Sequence, residues 1–126
     1  MKRLLVFEDD ILTQGVLRRL FKEEFEIDFC ESGEQYSEKY KNNNYDIIII
    51  DISLKGTKSG IDLISEIKSF PDKMHIPILC LTAHAFAKDR NSALNSGADL
   101  FLTKPVDNEI IKSSVLSLVN KNVLNH

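Results

Sequence analysis

The four isoleucines at positions 47–50 are apolar and β-branched without interruption, the pattern of a strand buried on both faces. Three other stretches are predominantly apolar and short enough for strands: RLLVFE (3–8), IPILCLT (76–82) and ADLFLTKP (98–105). FEIDFC (25–30) instead alternates apolar and polar residues and reads as an edge strand. Helical spacing fills the gaps. Leu12, Val16, Leu17, Leu20 and Phe21 recur at that spacing within 11–25. SGEQYSEKYKNNN predicts a helix with Tyr36 and Tyr40 one turn apart, stopped by its asparagines. Leu63, Ile64 and Ile67 share one face of a helix over 61–70, which Pro71 helps to end. AFAKDRNSALNSG predicts a helix closing on Gly97. Asp107 then caps a last helix with Ile111, Val115, Leu118 and Val119 facing inward. Five strands alternating with five helices predict an α/β fold, a parallel sheet covered on both faces and joined by right-handed crossovers.

The 126 residues suit one domain, taken as 1–122, followed by a short polar tail at 123–126. A net charge of -3 argues against a nucleic-acid surface as the main function. No apolar run approaches the roughly 20 residues that span a bilayer. The opening MKRLLVFEDD starts like a signal peptide, but three acidic residues interrupt it, so a cytoplasmic location is expected. Cys30 and Cys80 lie in apolar segments with no CxxC and read as reduced core thiols.

Composition limits the function; the strand ends suggest one. In open α/β sheets, chemistry gathers where the carboxyl ends of the strands emerge, near the point where strand order reverses. Strand one delivers Glu8, Asp9 and Asp10 there, strand three Asp51, strand four Thr82 and Ala83, and strand five Thr103, Lys104 and Pro105. Each has an ordinary structural reading alone: an acid at a helix start, a threonine cap, a solvated lysine, a turn-forming aspartate. Their convergence on one rim points further. Clustered carboxylates repel one another and call for a cation, and hard oxygen ligands suit Mg²⁺ or its relative Mn²⁺. Lys104 suits a point contact to a phosphate oxygen, and the Thr82 hydroxyl can donate to the same group. Asp51 can then be a nucleophile toward phosphorus.

With those residues in order, the chain resembles the receiver domain of two-component response regulators over essentially its whole length. Glu8 and Asp9 match the family's acidic pair, Asp51 its phosphoacceptor, Thr82 with Ala83 its hydroxyl and small residue, Lys104-Pro105 its Lys-Pro, and Phe101 its aromatic switch position. The resemblance implies a flavodoxin-like, CheY-like fold with strand order 2-1-3-4-5. It implies phosphoryl transfer from a sensor histidine kinase or phosphotransfer protein, with no enzymatic activity beyond self-catalysed phosphorylation and dephosphorylation of Asp51. Asp9, Asp51 and the Ser53 carbonyl would hold the metal directly, and Glu8 through a metal-bound water. The Lys104-Pro105 bond would be cis. On phosphorylation, Thr82 would move toward the phosphoryl group and Phe101 would rotate inward, changing the face around helix four, strand five and helix five. That face would contact an unknown protein target, as a monomer or as a phosphorylation-dependent dimer. Phe86, Ala87 and Lys88 are assigned to it. The other reading of Phe101 is a plain core residue.

Two features depart from the family pattern. The loop ISLKGTKSGIDL is longer than the common version, with Lys55 and Ser59 where a proline and an aspartate often stand. Lys55 and Lys58 either alter docking and phosphate access or sit in a tolerated surface insertion. Ser53 and His84, each two residues past Asp51 and Thr82, occupy positions that in the family set the lifetime of the acyl phosphate. Other functions fit less well. A phosphohydrolase of the haloacid dehalogenase type needs an acid where Ser53 stands. A flavin or nucleotide binder needs a phosphate loop where EDD would repel the ligand. A receiver that is never phosphorylated and only binds partners is the remaining alternative.

Overall fold

The computed structural model describes residues 1–84 and 86–124, the side chains through 121. Its order is β1 (Lys2–Phe7), α1 (Ile11–Phe21), β2 (Phe25–Cys30), α2 (Gly33–Gln35), a π-helical turn (Tyr36–Tyr40), β3 (Ile47–Ile50), α3 (Gly60–Lys68), β4 (Ile78–Thr82), α4 (Ala87–Ser96), β5 (Leu100–Thr103) and α5 (Asn108–Leu124). The strands form one parallel sheet in the order β2-β1-β3-β4-β5, as the resemblance implies, with FEIDFC at an edge.

The isoleucine run shows why β3 sits centrally. Ile48 and Ile50 enter one apolar cluster with Ile64 and Ile67 of α3, Ala93 of α4 and Phe101 of β5. Ile47 and Ile49 enter the other, with Leu17 and Phe21 of α1 and Ile111 and Val115 of α5. Successive side chains of a strand point to opposite faces, so four consecutive apolar residues feed two cores. Burying each isoleucine contributes about 2 kcal/mol. The run therefore fixes the end of β3 firmly.

The structure revises several element boundaries. α1 ends at Phe21 and not near residue 25, and Leu12 in its first turn is 80% exposed. The helix expected from Ser32 up to the asparagines is three α-helical residues followed by a π turn, so Lys41 N–H donates to the Tyr36 carbonyl at 2.8 Å. Tyr36 is still buried, against Phe7. α4 starts at Ala87, with Phe86 at its N-cap, and ends at Gly97, whose φ of 122° suits a residue without Cβ. Asp107 opens α5 through its backbone carbonyl, which accepts from Ile110 and Ile111. α5 runs on through Leu124, so half of the expected tail is helical; positions 125–126 lie outside the described residues. Among the described residues, no helix is long and apolar enough to cross a membrane.

Candidate functional site

β3 ends at Ile50, and Asp51 leaves the sheet while still tethered to it: its N–H donates to the Phe7 carbonyl at 3.0 Å. Its side chain is mostly buried and fully engaged. Oδ1 accepts from the Thr82 hydroxyl at 2.7 Å and from the Ser53 N–H at 3.1 Å. Oδ2 faces Lys104 Nζ at 3.3 Å. A carboxylate beyond an apolar strand is tolerated here because donors from three separate segments meet it.

Thr82, wholly buried, ends β4 next to β3. Its hydroxyl oxygen also accepts the backbone N–H of His84 at 3.2 Å, which pins the start of the following loop. Lys104 follows β5; its N–H donates to the Thr82 carbonyl at 2.8 Å, extending the pairing of the two strands. The Lys104-Pro105 bond is cis, as the resemblance implies.

Lys104 bridges two acids. Its ammonium donates to Glu8 Oε1 at 2.6 Å and faces Asp51. Burial would lower the Lys104 pKa, but the Glu8 hydrogen bond and the attraction of both carboxylates outweigh it and raise it. Burial raises the pKa of Glu8, against the pull of Lys104 and of the Asp10 N–H that donates to its Oε2 at 3.1 Å. The Glu8 carboxylate thus faces the lysine. A buried carboxylate requires a partner, and Lys104 is the cation at hand.

The acidic triplet divides its work. Asp10 caps α1, accepting from the Thr13 N–H at 3.0 Å and hydroxyl at 2.6 Å, and those bonds lower its pKa. Asp9 is partly exposed, and among the described residues nothing donates to its carboxylate. No three potential ligand side chains gather around one point among the described residues. The donor chemistry still fits Mg²⁺, which binds through one or two carboxylates and keeps several waters. Asp9, Asp51 and the carbonyl of Ser53 supply hard oxygens of that kind.

Ser53 and His84 line one cleft beside the site, together with Lys58 and Ser59. Neither loop lysine reaches Asp51: Lys58 pairs with Glu66 on α3, and Lys55 lies 3.8 Å from Glu31. A backbone bridge between Ser32 and Lys55 ties this loop to the segment after β2. Of the residues assigned to a partner face, Phe86 is 74% exposed, and Ala87 and Lys88 are exposed beside it. Phe101 is only 6% exposed, with its ring in the core. Both halves of the expected switch, Thr82 and Phe101, therefore hold inward positions here.

Two contacts at the site escaped the sequence reading. A Cβ on Gly60, the first residue of α3, would overlap the Asp51 carbonyl oxygen, so only glycine lets α3 start this close to the Asp51 backbone. The Gln14 side chain donates to the Glu8 carbonyl at 2.6 Å. A glycine after a polar loop and a glutamine in a helix are too common to stand out; each matters only through a contact across the fold.

A buried aspartate at the end of the central strand, bonded to a hydroxyl and a lysine beside an acidic turn, defines a class of domain. The chain belongs to the response regulator receiver domain family, whose model matches residues 4–116. It is 33% identical to the chemotaxis protein CheY of Halobacterium salinarum over 115 residues, 90% of this chain and 93% of that one. It is 30% identical over 133 residues to hybrid signal transduction histidine kinase I of Dictyostelium discoideum, covering 96% of this chain but 8% of that protein. A similar fold is seen in the receiver domain of a Pseudomonas aeruginosa sensor histidine kinase, crystallised with a magnesium ion in its active site cleft. That match has a TM-score of 0.83 and 23% identity, over 94% of this chain and 98% of that one.

Proposed function

We propose that this receiver domain takes a phosphoryl group onto Asp51 from a phosphohistidine on a sensor histidine kinase or phosphotransfer protein. The observation that carries this reading is that both Asp51 carboxylate oxygens are held by the donors the chemistry needs, Thr82 and Lys104. An Asp51 oxygen attacks phosphorus; the new P–O bond forms as the P–N bond breaks, and the imidazole keeps the electron pair and takes a proton. Bound at Asp9, Asp51 and the Ser53 carbonyl, with Glu8 nearby, Mg²⁺ or Mn²⁺ would neutralise charge on the transferring phosphoryl oxygens. Lys104 offers its ammonium to one of those oxygens and the Thr82 hydroxyl donates to another. In this reading the domain catalyses only its own phosphorylation and dephosphorylation at Asp51.

The phosphoryl group would complete what Thr82 and Phe101 already favour. An inward Phe101 lacks the hydroxyl that a tyrosine offers at the surface, and exposing its ring costs about 2–3 kcal/mol. The face of α4, β5 and α5, with Phe86 exposed at its edge, would meet a protein target. Ser53 and His84, beside the nucleophile, would govern how water reaches the acyl phosphate.

The test is intact-mass spectrometry after incubation with acetyl phosphate, with and without Mg²⁺, beside Asp51→Asn. A Mg²⁺-dependent gain of one phosphoryl group, absent in the variant, is expected. No adduct, followed by no binding of beryllofluoride, would leave a phosphorylation-independent binding module.

A further inference from the structure

Glu8 is gripped on both sides of its backbone. Its N–H donates to the Cys30 carbonyl at the end of β2, at 2.9 Å. Its carbonyl has left the sheet and accepts from Gln14 Nε2 of α1, at 2.6 Å. Gln14 is itself fixed in the first turn of that helix, where its N–H donates to the Asp10 carbonyl at 3.0 Å. One side chain therefore spans the turn that carries Glu8, Asp9 and Asp10, and its amide fills the acceptor that β1 leaves open. Beyond that turn, the Glu8 carboxylate reaches Lys104 and the Asp10 N–H.

We propose that Gln14 is a positioning residue for the phosphoryl-transfer site: its amide sets the path of the Glu8–Asp9–Asp10 turn, and through it the affinity for Mg²⁺. This rests on the metal reading given above. Gln14 touches neither nucleophile nor phosphoryl group, so it acts only through the backbone it holds. The length of the side chain and its N–H donor are both required. Methionine matches the length without the donor; arginine keeps donors at a similar reach.

The experiment uses the full chain and its Gln14→Met and Gln14→Arg variants. Backbone amide signals are followed by NMR during titration with MgCl₂, and again in metal-free buffer, and each variant's Tm is measured. Gln14→Met is expected to weaken Mg²⁺ binding about fivefold, the effect of losing one hydrogen bond. It is also expected to shift the Glu8, Asp9 and Asp10 amides in the metal-free chain. Gln14→Arg is expected to return those metal-free amides toward their wild-type positions, which a loss of general stability would not do. A Gln14→Met variant that binds Mg²⁺ like wild type, or an arginine variant that restores nothing, overturns the proposal and leaves the metal reading standing. A wild-type chain whose amides ignore Mg²⁺ overturns both.

Discussion

The Thr82 hydroxyl donates to Asp51 Oδ1 at 2.7 Å, joining the ends of two neighbouring strands across the reactive rim. The same oxygen accepts from His84, so one buried hydroxyl orients the Asp51 carboxylate and anchors the next loop. Thr82→Val keeps the shape and removes both bonds. Phosphorylation of Asp51 by acetyl phosphate is expected to slow about fivefold, with Thr82→Ser close to wild type. A time course of intact mass reads both rates; an unchanged rate in the valine variant would remove the hydroxyl from the reaction.

Lys104 holds two carboxylates that would otherwise repel each other. Its side chain is 23% exposed, while those of Glu8 and Asp51 are 4% and 11% exposed. Lys104→Met leaves both buried acids without a cation and is expected to cost about 1–3 kcal/mol in urea unfolding, below the value for a fully buried pair because water reaches the ammonium. Millimolar Mg²⁺ is expected to recover more stability in the variant than in wild type, since a second cation then faces the same carboxylates. Equal Mg²⁺ effects in the two proteins would count against a shared site.

Gly60 lies against the carbonyl of Asp51. Gly60→Ala forces α3 or the Asp51 backbone to move, at an expected cost of about 1–3 kcal/mol. Phosphorylation is expected to fall with it. Gly15 offers the control: it sits on α1 where, among the described residues, only the Arg19 guanidinium lies near an added Cβ, and Gly15→Ala is expected to stabilise the chain by up to about 1 kcal/mol. Chemical denaturation of the two alanine variants separates a crowded glycine from a merely flexible one.

Burial pushes the thiol of Cys30 up to about 11 and that of Cys80 up to about 12. The unfolded chain loses these protons near 9, while the folded chain still holds them, so folded protein binds more protons and stability falls as pH rises above about 9. Below that, neither thiol alters the pH dependence of stability. At pH 8, alkylation by iodoacetamide is expected to follow the unfolding transition in urea. Rapid labelling of native protein would show that the thiols are reachable without unfolding.

Much of this fold is legible in the residue pattern because hydrophobic period and strand length are local properties. The four isoleucines mark β3 as central, FEIDFC marks β2 as an edge, and Gly97 ends α4 where its freedom at positive φ is needed. Asp51, Thr82 and Lys104 were legible as a group because parallel strands deliver their carboxyl ends to one rim, whatever the side-chain details. The second helix is legible as a helix that stops at its asparagines, but its π turn is not, because a π turn and an α turn fit the same apolar spacing over five residues. Leu12 shares the helical spacing of α1 yet is 80% exposed, because spacing says which residues share a face, not whether anything covers that face.

Short-range pattern and the handedness of crossovers are enough to set the class of fold, the order of its elements and the residue types present at the rim. Which partner each polar group takes is settled by the folded chain: Glu8 turned toward Lys104, Thr82 bonded to Asp51, Asp10 used for the helix cap, Gln14 bonded to the Glu8 carbonyl. Glu8 and Lys104 stand 96 positions apart in the chain. Hydrogen bonds are short and directional, so a partner is settled by where the backbone brings two atoms together, and nothing in the local pattern encodes that meeting.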